Sequence, residues 1–301
     1  MIKNRIMTGI TCILLTASLV LAWPTPVNLG PNVNWAGQDM GPCITPDGLT
    51  LYYNSSNRPG GMGGSDIYTS KFSGGSWQAA VNLGSIVNSS DSDFDPFYWP
   101  ATPPELYFAS GRPGGVGSND IWVSRYTGGA WTAPTNVRAV NSTDTDCGPC
   151  IVGSPLRMFF SSTRPGGQGG WDIWMSTWTG SAWGTPVNIG APVNTSAWES
   201  DPSVTADGSK LYFQSGRSGG VGQDDIWVAT WTGSSWGNVQ NLGTPVNSTA
   251  YDYTPGISPD GYKLYFASNK PGGVGEFDVY CSDDTVTVTP TSLGRVKALF
   301  R

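Results

Sequence analysis

Five copies of one pattern follow one another at a period of about 53 residues, and such a period indicates a solenoid, a propeller or an array. Each copy has a basic residue in a Gly-rich loop and a Val-Asn pair followed by an acid and a proline. The basic residues are Arg58, Arg112, Arg164, Arg217 and Lys270; the acids are Asp39, Asp93, Asp146, Glu199 and Asp252; the prolines are Pro42, Pro96, Pro149, Pro202 and Pro255.

Each copy is predicted to form four short strands. In the fourth, residues 210–215 and 225–231 are apolar and aromatic runs bounded by Gly, Asp and Ser, which indicates strands. Four strands per repeat make a propeller blade. The outer segment, a tryptophan followed by an asparagine, is missing after the fifth copy and occurs instead as Trp23 and Asn28. The sequence therefore predicts an all-β, five-bladed β-propeller whose ring is closed by the N-terminal strand, which leaves no exposed edge there.

The ends of the chain differ from the repeats. Residues 1–22 have a basic start and an apolar run ending in Val20-Leu21-Ala22, which predicts a cleaved signal peptide. An uncleaved membrane anchor is the alternative, although the apolar run is short for a span. The propeller is predicted over residues 23–282. Residues 283–301 form a tail whose last ten residues have apolar groups at helical spacing, which favours either a frayed terminus or a short docking or sorting peptide.

Charge and cysteines restrict the partners. The formal net charge is −6 and the repeats carry no concentrated basic surface, so we expect no nucleic-acid partner. We expect a monomer without a transmembrane domain after signal cleavage. Cys43, Cys147, Cys150 and Cys281 allow three complete pairings, and the choice between disulfides and free thiols stays open. Cys147-Gly-Pro-Cys150 spells a redox motif, but no helix is predicted to lower the thiol pKa.

The best copy, PGISPDGYKLYFASNKPGGVGEFDVY at residues 255–280, resembles the WD-repeat-like repeats of TolB-like bacterial β-propellers. The resemblance covers nearly all of residues 23–282. It implies a secreted, periplasmic or outer-membrane-associated protein, and many such proteins are binding scaffolds without known chemistry. It also implies that the acid and Arg/Lys series share one face and form ion pairs. Thr102-Pro103 and Ser154-Pro155 depart from the family's Asp-Gly turn.

Features present in all five copies are expected to be structural, so a ligand site is sought where the copies differ. Asp95 and Asp201 precede the repeat proline where other copies have Gly or Thr. Carboxylates and aromatic rings together suit a glycan or a protein loop. The predicted ligand-binding residues are Asp93, Asp95, Tyr98, Trp198, Glu199, Asp201, Tyr251 and Tyr253. The alternating acids Asp91, Asp93 and Asp95 are a weak candidate for a Ca²⁺ site, with a solvated loop as the simpler interpretation and no cofactor expected.

Three functions are compatible with this pattern. The favoured one is a noncatalytic exported or cell-envelope binding scaffold for a protein or glycan. The alternative is a glycoside hydrolase-like enzyme, since several five-bladed furanosidase families place acids on inner strands; Asp93, Asp95, Glu199 and Asp201 would supply the two carboxyls. The third is a structural spacer. A deep pocket with two carboxyls outside ion pairs would favour the enzyme, and a shallow face of satisfied Asp–Arg pairs would favour binding.

Overall fold

The computed structural model describes residues 23–287, so the predicted signal peptide and residues 288–301 of the predicted tail lie outside the described residues. The first strand is β1 (Val27–Asn28). Blade 1 contains β2 (Asp39–Ile44), β3 (Thr50–Ser56), β4 (Ser65–Ser73), β5 (Ser76–Trp77) and β6 (Val81–Asn82); blade 2 contains β7 (Asp93–Trp99), β8 (Glu105–Ser110), β9 (Asp120–Thr127), β10 (Ala130–Trp131) and β11 (Thr135–Asn136). Blade 3 contains β12 (Asp146–Val152), β13 (Arg157–Ser162), β14 (Asp172–Thr177) and β15 (Val187–Asn188); blade 4 contains β16 (Glu199–Val204), β17 (Lys210–Ser215), β18 (Asp225–Trp231) and β19 (Trp236–Asn241); blade 5 contains β20 (Asp252–Ile257), β21 (Lys263–Ser268) and β22 (Asp278–Asp283).

Each blade is an antiparallel sheet whose inner strand comes first in the chain, which confirms the five-bladed propeller. The N-terminal strand completes blade 5, because β1 pairs with β22 at Val27–Cys281 and Asn28–Tyr280. A 3₁₀ turn at Asp284–Thr287 follows. No helix within residues 23–287 has the length and apolar character of a membrane span. The predicted ring closure is therefore confirmed.

Aromatic contacts join neighbouring blades. A tryptophan of an outer segment meets, edge to face, a ring on the second strand of the preceding blade. The pairs and their centroid distances are Trp23–Tyr212 at 6.2 Å, Trp77–Tyr265 at 6.5 Å, Trp131–Tyr52 at 6.3 Å and Trp236–Phe159 at 5.9 Å. Such pairs contribute about 0.5–1.5 kcal/mol each beyond the area they bury. The apolar core therefore lies between the blades and leaves the ring axis available for a cavity.

Buried ion pairs also join the start of an inner strand to the Gly-rich loop of the same blade. They lie on the face of the ring where the inner strands begin. The Arg–acid distances are 2.5 Å for Arg112–Asp93 and Arg164–Asp146, 3.1 Å for Arg217–Glu199 and 3.6 Å for Arg58–Asp39. Each arginine also donates to a valine carbonyl of the Val-Asn pair. In blade 5, Lys270 lies over the rings of Phe266 and Tyr280. These ion pairs between repeated acids and arginines are thus a structural feature of the described blades.

Candidate functional site

The residue before the repeat proline has a left-handed backbone in every blade. The φ angles are 61° for Gly41, 50° for Asp95, 58° for Gly148, 52° for Asp201 and 46° for Thr254. The pairing register between the first two strands shifts at this point in each blade, which is a β-bulge. Bulges redirect a side chain out of the regular alternation. All five of these residues line a cavity on the ring axis.

The bulges are held by side chains from neighbouring blades. The Asp95 N–H donates to Asn54 Oδ1 at 3.1 Å, and the Asp201 N–H donates to Ser161 Oγ at 2.8 Å. Each bulged aspartate is therefore fixed by the second strand of the blade before it. A left-handed backbone disfavours most side chains but is tolerated by Asp. The two hydrogen bonds hold this backbone and thereby keep the carboxyls in place.

Asp95 of blade 2 and Asp201 of blade 4 meet across blade 3. Blade 3 has Gly148 at the equivalent position, and a Cβ there would lie 2.9 Å from Asp201 Oδ1. The missing side chain gives the two carboxyls room to form a hydrogen bond with each other. The Cys147 thiol lies within 4.8 Å of both carboxyl groups, and Ser200 Oγ donates to Asp201 Oδ2 at 3.0 Å.

The electrostatics of this pair favour one shared proton. Burial raises the pKa of Asp95 well above its usual range, and the neighbouring Asp201 carboxylate raises it further. Burial raises the pKa of Asp201 to about 6. Within residues 23–287, neither carboxyl takes part in an ion pair. Two carboxyls this close cannot both ionise easily, so the pair holds one proton between them.

The cavity beside this pair has a volume of about 300 Å³. Its walls include the five repeat prolines, together with Tyr98 and Trp99 of blade 2. It extends from Asp95 and Asp201 along the inner strands to the turns that follow them, such as Pro46 and Pro259. The cavity therefore occupies the half of the ring away from the arginine–acid pairs.

The other predicted site residues lie elsewhere. Asp93 and Glu199 are fully buried in their ion pairs, and each also accepts hydrogen bonds from a nearby Ser or Thr. Trp198 is 58% exposed and does not line the cavity. Tyr251 contacts Tyr253, which stacks on Phe277 with centroids 5.3 Å apart. The structure thus brings Asp95, Asp201 and Tyr98 together and separates them from the remaining five residues.

The proposed Ca²⁺ ligands are also separated. Arg112 holds Asp93, whereas Asp95 turns towards the axis, so the alternating run does not converge on one ion. Asp95, Cys147 and Asp201 do offer three donor atoms within 4.8 Å of one another. A thiol and carboxylates suit Zn²⁺ better than Ca²⁺. The hydrogen bonds within this group, however, are those of a protonated carboxyl pair.

The four cysteines of the described chain are free thiols. Cys43 Sγ accepts a hydrogen bond from the Tyr98 N–H, and Cys150 Sγ accepts one from the Val204 N–H, both at 3.3 Å. Burial raises the pKa of the Cys147 thiol well above its usual range, and nearby carboxylates raise it further. The Cys147-Gly-Pro-Cys150 motif therefore joins blades and supports Asp95. Cys147 and Gly148 were not predicted as site residues. Gly148 is the pre-proline residue of blade 3 and Cys147 precedes it, so the position that identifies Asp95 and Asp201 could have identified them as well.

Comparison with known proteins identifies similar folds but no close relative. No protein-family model matches the sequence, and no curated protein matches it. An arabinanase from Bacillus subtilis is 14% identical with a TM-score of 0.57, covering 85% of this chain and 97% of that one. An α-L-arabinofuranosidase from Podospora anserina, solved with cellotriose, is 11% identical with a TM-score of 0.54, covering 87% and 96%. A putative TolB from Agrobacterium tumefaciens is 17% identical with a TM-score of 0.51, covering 88% and 92%.

These comparisons correct the functional expectation from the sequence. The similar solved structures are mostly arabinanases, arabinofuranosidases and related glycoside hydrolases. That finding contradicts the noncatalytic binding scaffold and supports the enzyme alternative better. At these identities the likeness establishes the fold alone. A TolB-like propeller is among the neighbours, whereas no sequence-level match supports the WD-repeat-like assignment.

Proposed function

We propose that this protein is a glycoside hydrolase-like enzyme whose acid–base groups are Asp95 and Asp201. The observation that carries the proposal is the hydrogen-bonded carboxyl pair, outside any ion pair of the described chain, at the inner end of the axial cavity. Glycoside hydrolysis uses two carboxyls, one of which must be protonated at working pH. A deep cavity with such a pair is the feature that distinguishes an enzyme from a scaffold here.

The two aspartates are assigned different roles. We assign Asp95 as the general acid, whose pKa is raised by burial and which protonates the leaving glycosidic oxygen. Asp201 is the carboxylate that attacks the sugar or activates a water molecule. The hydrogen bond from the Asp95 N–H to Asn54 Oδ1 keeps Asp95 oriented. Glycoside hydrolases hold their two carboxyls about 5–5.5 Å or 6.5–9.5 Å apart. Asp95 and Asp201 lie within 4.8 Å, so the substrate must separate them, and the glycosidic oxygen then replaces Asp201 as the acceptor of the proton.

The substrate class follows from the cavity and the similar structures. A volume of about 300 Å³ is at the lower end for small-molecule sites, so it suits one terminal sugar unit. The named neighbours are arabinanases and arabinofuranosidases, and arabinofuranosyl-containing glycans are therefore the first substrates to test.

The test is sugar release from arabinan, arabinoxylan and short arabino-oligosaccharides by wild type, Asp95→Asn, Asp201→Asn and the control Asp91→Asn. We expect each variant of the pair to lose about 10²- to 10⁴-fold in kcat/KM, which is the usual contribution of a general acid or base. Asp91 does not line the cavity and should not affect the rate. The proposal fails if wild type releases no sugar, or if both variants of the pair keep the wild-type rate.

A further inference from the structure

A second cavity, of about 450 Å³, lies at the seam between blades 2 and 3. We call it the seam cavity; its aromatic walls are Trp99, Tyr107, Trp178 and Trp183. Trp99 and Ile151 line the axial cavity as well, so the two cavities adjoin at these residues. The proposed function does not use the seam cavity.

The seam cavity lies where the repeat is least regular. In the other three blades a Thr or Ser directly follows the inner strand and donates to a turn aspartate, as Thr45 does to Asp47 at 2.6 Å. Blade 2 has Trp99 at that position and blade 3 has Val152, and these are the blades whose turns contain Thr102-Pro103 and Ser154-Pro155. The replacements therefore change both walls of one seam.

The packing across this seam also differs. The four other seams are closed by an outer tryptophan against a ring of the preceding blade. Among the described residues Trp183 forms no such ring pair with blade 2. It meets Trp178 of its own blade with centroids 5.4 Å apart, a contact that the outer tryptophans of blades 1, 2 and 4 also make, and both rings line the cavity. The indoles of Trp178 and Trp183 thus form apolar walls of the seam cavity.

A fixed polar group completes the cavity wall. Glu105 accepts a hydrogen bond from the Tyr107 hydroxyl at 2.7 Å and one from Arg125 Nε at 2.9 Å. The Arg125 side chain is 48% exposed, and a guanidinium has five donors, so most of them remain for a ligand. Indole and phenol faces beside a paired carboxylate and guanidinium suit a ring that has an apolar face and several hydroxyls. Since the charges offset each other, the favoured ligand is neutral.

We propose that the seam cavity binds one or two units of a neutral oligosaccharide, as a subsite for a chain whose terminal unit enters the axial cavity. The common wall supports this occupant, because Trp99 and Ile151 line both cavities and the seam is therefore next to the axial cavity on this side. The link to hydrolysis rests on the proposed function, whereas binding in the seam does not.

The experiment uses the Asp95→Asn/Asp201→Asn chain, so that ligands remain intact during measurement. Calorimetric titration with arabino- and xylo-oligosaccharides of increasing length would compare Trp99→Ala and Arg125→Ala with Lys263→Ala. Lys263 is the matched control because it occupies the strand position of Glu105 in blade 5 and pairs with Asp283 at 2.9 Å. Thermal unfolding of each variant checks that the fold is kept.

We expect Trp99→Ala and Arg125→Ala each to weaken binding of the longer oligosaccharides about tenfold or more, with Lys263→Ala unchanged. In the active chain, the same variants should lower kcat/KM for long substrates more than for disaccharides. Equal affinity in all three variants, or no oligosaccharide binding at all, overturns the seam proposal. Binding that depends on the seam residues, without hydrolysis by wild type, would instead overturn the proposed function and support the seam proposal.

Discussion

The residue before the repeat proline determines what each blade contributes to the ring axis. Its left-handed backbone costs a residue other than glycine about 1–2 kcal/mol, and Asp is among the side chains that tolerate it. Blades 1 and 3 avoid the cost with Gly41 and Gly148, whereas blades 2, 4 and 5 accept it with Asp95, Asp201 and Thr254. Such strain is usually retained where function requires it. The strain is thus compatible with a functional role of the carboxyl pair, although Thr254 shares it.

Asp39 gives a prediction about pH and stability. The carboxyl is fully buried and lies 3.6 Å from Arg58, and burial raises its pKa from 3.8 to about 6. The folded protein therefore holds this proton more tightly than the unfolded chain does. The resulting stabilisation is complete below about pH 3.8 and is lost as the pH rises through 6. Asp39→Asn removes the titration.

Urea unfolding between pH 4 and pH 7 measures this effect. We expect the free energy of unfolding to fall by about 2–3 kcal/mol more in wild type than in Asp39→Asn, since each pKa unit corresponds to about 1.4 kcal/mol. Asp95 and Asp201 titrate in both proteins and cancel in the difference. Asp47→Asn is the control, because hydrogen bonds lower the pKa of that exposed turn aspartate. Parallel pH profiles for wild type and Asp39→Asn would refute the assignment.

Part of the site was predictable at the residue scale. Asp95 and Asp201 differ from their equivalents in the other repeats, so the sequence identifies them. Their contact was not predictable, because it depends on a bulge in each inner strand and on the space left by Gly148. The sequence also grouped Asp93 and Glu199 with them. Those two acids lie two positions earlier on the same strands, where each forms an ion pair with an arginine.

At the scale of elements, a strand of two residues closes the ring. Asn28 Nδ2 donates to Asp278 Oδ2 at 2.9 Å, and Ser282 Oγ donates to the Pro24 carbonyl at 2.5 Å. The first residues of the described chain are thus held by the last blade. Because the repeated tryptophan and asparagine reappear at Trp23 and Asn28, the sequence alone was sufficient to predict this exchange. The irregular turns of blades 2 and 3 follow no repeated pattern, so the sequence did not predict the packing around them.

Deletion of residues 23–29 should therefore destabilise the whole ring. It removes the Trp23–Tyr212 contact and leaves the edge of β22 without a partner. We expect the thermal midpoint to fall by at least several degrees, since about 1 kcal/mol corresponds to roughly 2–4 °C in a protein of this size. Val27→Ala is the control, because that side chain is 67% exposed and the strand pairing is kept. An unchanged midpoint in the deletion would contradict this closure.

The two faces of the whole molecule have different roles. The face where the inner strands begin carries the arginine–acid pairs that join the segments. The other half contains the axial cavity and, beside it, the seam cavity. The sequence predicted the first face because its residues recur in every repeat. The half with the two cavities was not predicted. Its prolines and bulges create an internal volume, and no local sequence pattern indicates such a volume.

Export is the prediction that concerns the whole chain. We propose that residues 1–22 are removed after Ala22, so that the mature protein begins at Trp23 and acts outside the cytoplasm as a secreted, periplasmic or outer-membrane-associated monomer. Trp23 and Pro24 already contact blades 4 and 5, so cleavage at this point leaves the closing strand intact. N-terminal sequencing of the exported protein should read Trp-Pro-Thr-Pro. Ala22→Arg, which disrupts the small-residue cleavage site, should retain the leader and serves as the control. Recovery of the wild-type chain from the cytoplasm with Met1 or Ile2 as its first residue would refute export. The ring closure is tested separately, by the deletion of residues 23–29.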